Sequence, residues 1–490
     1  MIARRALLGV SAALLFGCAA GPEYQKPVLD LPVAWKVEAP WREGRPDDAA
    51  AKGPWWQRFG DAELDALEQR SMANSPTLAM AGARLAQARS ALAATSAGVL
   101  PQLGLSERAA RQKISANRPL TNYASPNFST VQNELSVAMT VNYEVDLAGR
   151  VQQSIALAQA SVEQSAADFE NTRLLLSADL ATNYFNLREI DVELNVLARA
   201  IGLQQRALEL VSARHELGAA TGLDLAQQQA LLDTTLVQID LLRRQRGQFE
   251  HAVATLAGIP AAQFTLAPDL RELTAPPVPL GVPSDVLERR PDIAAAERAM
   301  AGANAQIGVA NAAFYPSIML GAAVGVDSTD LASLFNAPSL LWSIGLSAAQ
   351  TLFDGGRTRA NVEYARAGYT ATVANYRRVV LGAMQEVEDG ITGLATLERA
   401  THQAGTAVES ARRVFDMTTA RYEGGASTYF EVITAQQALL ASERQAAQLL
   451  GQRLVTSVFL IKALGGDWQR TSQATSQNCM NTREACHASP

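Results

Sequence analysis

Two hydrophobic patterns alternate along this chain, and the first has a period of two residues. It is clearest in ELSVAMTVNYEVD, residues 134–146, where every second side chain is apolar. Three weaker stretches of the same kind are residues 101–112, 316–328 and 340–354. A period of two is that of β-strands with one apolar face. We therefore predict two hairpins, over residues 101–146 and 316–354.

The hairpins leave two interpretations open. Strands of about 9–11 residues with one apolar face suit a membrane barrel, with the apolar side toward lipid and the polar side toward a wet lumen. A soluble two-stranded ribbon has the same pattern. An isolated hairpin is only marginally stable in water, so either structure needs partners. Two hairpins cannot close a barrel, so the barrel interpretation requires that several chains associate.

The second pattern has spacings of three and four residues and fills the stretches that follow the hairpins. In the first half its apolar positions are Leu187, Ile190, Leu194, Leu197, Ile201, Leu208 and Val211. Proline, which costs about 3 kcal/mol in a helix interior, is absent from residues 127–259 and 339–489. An unbroken helix from Leu147 to Leu217 would be about 105 Å long. The pattern predicts long coiled-coil helices. A spectrin-like rod would explain the helices but not the hairpins.

The same order of elements occurs twice. SARHELGAATGLD at 212–224 lies over TARYEGGASTYFE at 419–431 at an offset of 207, and the upstream parts superpose at an offset of 215. The eight-residue change must fall between Pro101 and Gly149. We place it in a variable loop, because loops tolerate insertions best. The chain is therefore predicted to be internally duplicated, and mainly α with membrane β.

The duplication gives a domain layout. Its segments are a lipoprotein signal peptide (1–17), a lipidated irregular segment (18–60), repeat 1 (61–260), a proline-rich connector (261–289), repeat 2 (290–466) and a disordered tail (467–490). Each repeat has a helix, a hairpin, a long helix, a tip turn and a shorter helix. The tip turns are predicted at 218–222 and 424–428. For the irregular segment and the connector, a flexible linker is the alternative to chain that wraps around the helices.

The N-terminus is typical of an export signal, with Arg4 and Arg5 before an apolar run too short to span a bilayer permanently. The motif LFGC, which ends at Cys18, resembles the lipobox of bacterial lipoproteins. Cleavage would leave Cys18 as the acylated first residue, and Ala19 after it favours an outer-membrane destination. An ordinary signal peptide that contains a cysteine is the alternative.

Composition and motifs argue against several functions. The net charge of −6 gives no electrostatic reason to expect a nucleic-acid partner. The sequence has four histidines and no HExxH, GxSxG, P-loop or GxGxxG pattern. Cys479, Cys486 and His487 form only a weak cluster, for which a disulfide or a loose tail is a better explanation than a metal. We therefore predict no catalytic residue, no metal site and no cofactor.

Five motifs resemble those of the TolC/OprM-type outer membrane factor family, in its NodT-like lipoprotein branch. They are GPEYQKP (21–27), WWQRFGDAELDALEQRSMANSPTL (55–78), ERRPDIAAAERAMAGANAQIGVANAAFYPSI (288–318), LFDGGRTRANVEYARAGY (352–369) and ARYEGGASTYFEVITAQQALL (420–440). The resemblance implies a homotrimer with four strands per chain, which form a twelve-stranded β-barrel continued by a periplasmic α-helical tunnel. It implies no catalytic step. Its implied partners are outer-membrane lipid, a periplasmic adaptor (membrane fusion) protein and an inner-membrane pump of the resistance-nodulation-division type.

Two sites follow from the resemblance. The first is the pair of periplasmic tips that meet the adaptor, here Gly218, Ala219, Ala220, Thr221, Gly424, Gly425, Ala426 and Ser427. The alternative is that a turn between antiparallel helices simply requires glycine. The second is a constriction of the tunnel at Phe430 and Thr434. Family members have an aspartate ring there, which Thr434 cannot form, and Glu431 lies about 100° away around the helix. Ordinary coiled-coil packing is the alternative role for Phe430.

The sequence thus predicts the exit duct of a tripartite efflux system, which conducts substrates passively across the outer membrane. The competing hypothesis from another class is a lipid-anchored periplasmic coiled-coil scaffold without a pore. Neither hypothesis names the exported substrate.

Overall fold

The computed structural model describes residues 22, 24–25, 54–117, 129–271, 273–278 and 289–466. The predicted signal peptide, the lipidation site Cys18 and the predicted disordered tail lie outside the described residues. So do most of the predicted irregular segment 18–60 and part of the connector 261–289.

The described residues are mainly helical and contain four strands, and both predictions are confirmed. The helices are α1 (Ala62–Asn74), α2 (Pro76–Ser96), α3 (Arg150–Glu216), α4 (Gly222–Leu256), α5 (Pro291–Ala312), α6 (Arg357–Glu423) and α7 (Tyr429–Ala463). The strands are β1 (Gln102–Ile114), β2 (Thr130–Val145), β3 (Ser317–Ser328) and β4 (Leu340–Ala349). Among the described helices, none is both long enough and apolar enough to cross a membrane.

The duplication is visible in the helix lengths. Helices α3 and α6 both have 67 residues, and α4 and α7 both have 35. The hairpins differ, because β2 has 16 residues and β4 has 10. The residues inserted in repeat 1 therefore lengthen strand β2 and are not confined to a loop. From the sequence alone, all of them are expected in a loop.

Strand β4 also ends earlier than the predicted hairpin limit at residue 354. At that limit the carboxylate of Asp354 accepts hydrogen bonds from the backbone N–H groups of Gly356 and Thr358, at 2.9 and 2.8 Å. Asp354 thus satisfies free amides at the start of α6, a helix-start role that aspartate favours.

The chain divides into two compact units. The first contains the sheet and the adjoining parts of α2, α3, α5 and α6, and the second contains the other helical segments. In the first unit the four strands form one antiparallel sheet in the order β1-β2-β3-β4. Within the described residues, β1 and β4 each pair with only one strand, so both edges of the sheet are open.

The core of the second unit lies along the predicted seam of α3. Leu187, Ile190, Leu197 and Val211 are buried, and Ile190 and Leu197 pack with Ile239 and Leu242 of α4. Gln204, which interrupts the apolar series, is also buried. Its backbone carbonyl accepts a hydrogen bond of 2.8 Å from the side-chain amide of Gln228. Residue 204 therefore contributes to the packing between α3 and α4 through its backbone carbonyl.

Candidate functional site

The two tip turns, both in the second unit, have the same backbone geometry. Gly218 and Gly425 have φ of 73° and 74°, a left-handed conformation that side chains disfavour. The N–H group of the residue after each glycine donates a hydrogen bond to the carbonyl oxygen five residues earlier in the chain. Ala219 bonds the carbonyl of Arg214 at 2.7 Å, and Ala426 bonds that of Arg421 at 2.8 Å. This is a Schellman ending, and it accounts for one glycine in each turn without any reference to a partner.

The helix that leaves each turn begins with a capping box. Thr221 and Asp224 exchange hydrogen bonds of 2.9 and 3.2 Å at the start of α4. Thr428 and Glu431 form the same box at the start of α7, where the Thr428 N–H donates to Glu431 Oε1 at 3.2 Å. The Glu431 carboxylate, the nearest acid to Thr434, is thus occupied by the helix start.

The eight predicted tip residues are mostly open to solvent. Six are exposed, namely Gly218, Ala219, Thr221, Gly424, Gly425 and Ala426. Ala220 instead packs against the buried cluster beneath the turns. The Ser427 hydroxyl donates to the carbonyl of Thr418 at 3.4 Å. Small side chains therefore leave the backbone of both turns accessible, as close contact with another protein requires.

A buried cluster lies beneath the two turns and joins them. It consists of Val211, Leu231, Tyr429, Val432 and Ile433, with Phe415 and Tyr422 packed against it. The Tyr429 hydroxyl donates to Gln228 Oε1 at 2.8 Å, a buried bond between α7 and α4. Burial raises the pKa of Tyr429 above its usual range, so the phenol stays protonated and donates. The two turns are therefore held as one rigid end of the second unit.

Phe430 and Thr434 occupy a different face of α7 from this cluster. Phe430 is 62% exposed, although its neighbours Tyr429 and Val432 are buried. Thr434 is also exposed, and its hydroxyl donates to the carbonyl of Phe430 at 2.8 Å. The structure thus brings the two predicted constriction residues together on one open face. It also leaves Phe430 outside the packing between helices of this chain.

Sequence reasoning missed the apolar residues of the first turn. Leu217 is 84% exposed and Leu223 is 66% exposed. Leu223 corresponds to Phe430 at the offset of 207, whereas Leu217 corresponds to Gly424. The repeat offset could have identified Leu223 from the sequence. The exposure of Leu217 depends on the turn geometry and had no such signal.

A buried acid lies farther along α3. Glu193 is buried, and Arg444 of α7 donates to its Oε1 through Nε at 2.6 Å. Gln448 donates to the same oxygen at 3.3 Å. Burial, and then the charge of Glu193, raise the pKa of Glu189 to about 7. Neutral Glu189 is therefore the favoured form in the folded chain below neutral pH.

Comparison with known proteins gives one consistent family. The sequence model of the outer membrane efflux protein family matches residues 67–259 and 282–466, one stretch for each repeat. The chain is similar to the pyoverdine export outer membrane protein OpmQ of Pseudomonas aeruginosa, with 32% identity over 95% of this chain and 97% of that protein. It is 31% identical to the toluene efflux pump outer membrane protein TtgC of Pseudomonas putida, over 97% of this chain and 98% of that protein.

A solved structure has the same fold over almost all of the described chain. The open state of the MtrE outer membrane channel of Neisseria gonorrhoeae matches with a TM-score of 0.80 and 25% identity. The match covers 93% of this chain and 100% of that one.

Proposed function

The chain belongs to the outer membrane efflux protein family, and we propose that it is a lipid-anchored, homotrimeric exit duct. Its role as an outer membrane efflux channel component, without a catalytic step, follows from the relatives and the channel structures that it matches. The proposal adds four features to this role, namely the trimeric assembly, the lipid anchor, the adaptor and the type of pump.

The observation that carries the proposal is the apolar face of the sheet. Residues directly opposite one another in a sheet share a face. One such row consists of Leu105, Met139, Val324 and Trp342, and the next consists of Leu103, Val141, Ala322 and Ile344. Trp342 and Ile344 are exposed. A face of this kind in water would be an aggregation hazard, whereas lipid would cover it.

The height of this face agrees with a membrane. On β2 it extends from Val145 to Leu135, which is about 33 Å along the strand at about 3.3 Å per residue. With a strand tilt of about 40°, the apolar band is about 25 Å tall, the height typical of outer-membrane barrels. The opposite face includes Gly321, Ser343 and Gly345, which are small or polar and suit a wet lumen.

The open edges support the trimer. A lone sheet with unpaired N–H and C=O groups on both β1 and β4 cannot lie in a bilayer, because no water is available there to satisfy those groups. Pairing β1 of one chain with β4 of the next removes both edges. Three chains would then form a closed barrel of twelve strands, continued by a helical tunnel in the periplasm.

We assign the adaptor contact to the tips 218–221 and 424–427. Their exposed backbone and small side chains support close approach by a periplasmic adaptor, which would connect the duct to an inner-membrane pump of the resistance-nodulation-division type. We assign the constriction to Phe430, with Thr434 beside it. The exposed phenyl ring of Phe430 and the uncharged side chain of Thr434 support an apolar constriction rather than an acidic one.

The lipid is proposed at Cys18, which lies outside the described residues. Pro22 is the nearest described residue, and its carbonyl accepts a bond of 2.8 Å from the Asn304 side chain on α5. This contact, in the unit that contains the sheet, supports an anchor close to the membrane. The cargo stays unassigned, because the names of OpmQ and TtgC refer to different exported compounds.

Single-channel recording in planar bilayers tests the proposal. Purified wild-type protein is expected to conduct ions, and the scaffold hypothesis predicts no conductance under any condition. Phe430→Ala is expected to raise the basal conductance, because it shortens the side chain that would narrow the tunnel. Thr434→Ala, on the same face, is the matched control with little change. Unchanged conductance in a well-expressed Phe430→Ala protein would remove Phe430 from the constriction.

Cys18→Ser tests the anchor separately. We expect less mature trimer in the outer membrane but an intact pore in whatever trimer forms. An unchanged trimer level would mean that the lipid has no part in delivery or assembly.

A further inference from the structure

Strand β1 extends beyond the apolar band of the sheet, and its side chains on that face become cationic there. The last row with three strands contains Ala109, Leu135 and Ser328. Beyond it only β1 and β2 pair, with Arg111 opposite Asn133 and Lys113 opposite Val131. Because alternate residues share a face, Arg111 and Lys113 lie on the same face as Leu103 and Leu105. Both cations therefore point to the side that the proposed function assigns to lipid.

The positions of these cations relative to the band can be estimated. Arg111 and Lys113 lie two and four residues beyond the Leu135 row, which is about 7 and 13 Å along the strand. At a tilt of about 40° they are about 5 and 10 Å above the apolar edge. That is the level of the headgroups, at the end of the sheet away from the helices. A periplasmic position of the helices makes this the outer leaflet.

Neither cation is neutralised by a neighbour. Both are exposed, and among the described residues neither forms an ion pair. Arg108 provides the contrast, since it lies on the opposite face with its guanidinium 3.7 Å from Glu134. Glu107 shares the face of Arg111 but lies about 13 Å away along the strand, which is too far for an ion pair. The two cations therefore present an unpaired positive charge.

We propose that Arg111 and Lys113 bind the phosphate groups of anionic lipids in the outer leaflet. The proposal rests on the membrane placement in the proposed function. Guanidinium binds phosphate with two parallel hydrogen bonds, and lysine adds a point charge. The Asn133 amide beside Arg111 supplies a further donor. Along this face of β1 the side chains thus change from apolar to cationic, as a leaflet changes from acyl chains to phosphate groups.

Native mass spectrometry of the full-length protein in detergent tests this contact. The probes are bisphosphorylated lipid A and its dephosphorylated form, compared for wild type, the double variant R111Q/K113Q, and R108Q as the matched control on the other face. Each basic residue near an anionic surface contributes about 1 kcal/mol. We therefore expect the double variant to bind the phosphorylated lipid about 30-fold more weakly. R108Q should bind like wild type, and the dephosphorylated lipid should not distinguish the proteins.

Three results would overturn the assignment. The first is equal retention of phosphorylated lipid by the double variant and wild type. The second is competition by inorganic phosphate at the same concentration as the lipid. The third is loss of the oligomer in lipid-free detergent on R111Q/K113Q substitution, which would put the pair in a contact between proteins. A failure of the proposed function can be distinguished from these results. Wild-type protein that binds the lipid but conducts no ions would contradict only the proposed function.

Discussion

Substitution of Gly258 by alanine separates two reasons for keeping a glycine. Gly258 follows α4 with φ of 72°, and a Cβ added there would lie 2.7 Å from the backbone oxygen of Asn74 at the end of α1. Gly218 has nearly the same φ, but an added Cβ would meet no atom within 4 Å. The stability lost in Gly218→Ala therefore measures the cost of the left-handed backbone conformation alone. The stability lost in Gly258→Ala measures that cost plus the cost of the close contact.

The expected magnitudes differ clearly. Alanine in the left-handed region costs about 1–2 kcal/mol, which is the whole loss expected for Gly218→Ala. A backbone oxygen at 2.7 Å must move, and such overpacking adds about 1–3 kcal/mol. Gly258→Ala should then lose about 2–5 kcal/mol. The second repeat provides a replicate, because an added Cβ at Gly465 would lie 3.0 Å from the Arg289 oxygen and one at Gly425 would meet nothing within 4 Å.

Thermal unfolding followed by circular dichroism in the far ultraviolet, in one detergent and at one pH, ranks the four alanine variants. Gly258→Ala and Gly465→Ala should have clearly lower midpoints than Gly218→Ala and Gly425→Ala. Equal midpoints within each repeat would refute the argument that the backbone oxygens of Asn74 and Arg289 lie too close to these glycines for a methyl group.

Three further predictions concern other parts of the chain. Tyr429→Phe removes the donor of the buried hydrogen bond to Gln228 Oε1, while the bond from Gln228 Nε2 to the Gln204 carbonyl remains, so it should cost about 1–3 kcal/mol in the same unfolding assay. Because the pKa of Glu189 is raised to about 7 in the folded chain, its stabilising contribution is complete below about pH 4.5 and is lost as the pH rises through 7. Glu189→Gln should therefore flatten the decline of the melting temperature between about pH 5 and 8, and an unchanged slope would contradict this. Ile344→Lys, in the middle of the apolar face, should reduce membrane insertion by about 2–4 kcal/mol, whereas Ser343→Lys on the opposite face should insert normally in a liposome assay.

The sequence predicted those features that depend on local pattern or on the repeat. Alternation in β2 was strict enough to assign its faces, and the offset of 207 aligned the two tip turns. The alternation in β1 is weaker, because Glu107, Arg111 and Lys113 interrupt its apolar positions. The period of two places those charges on the face of Leu103 and Leu105, but only the register with β2 identifies the residues that lie opposite them. That register depends on contacts across the hairpin, which no periodicity within β1 contains.

The candidate site divides in the same way. The capping box at Thr428 and Glu431 has the spacing Thr-x-x-Glu and could have been found in the sequence. By contrast, the exposure of Phe430 could not be found there, because Tyr429, Val432 and Ile433 surround it with equally apolar residues. Packing against α3 and α4 selects which of these four is left outside.

The two turns share a backbone but differ in what they present to a partner. Schellman endings and capping boxes recur at the offset of 207, so both turns have the same shape and the same helix starts. The first turn adds exposed Leu217 where the second has Gly424, and Leu223 where the second has Phe430. A trimer would thus present six turns of alternating chemistry. An adaptor that recognised backbone alone would bind all six alike, whereas one that reads side chains would bind two distinct sets of three.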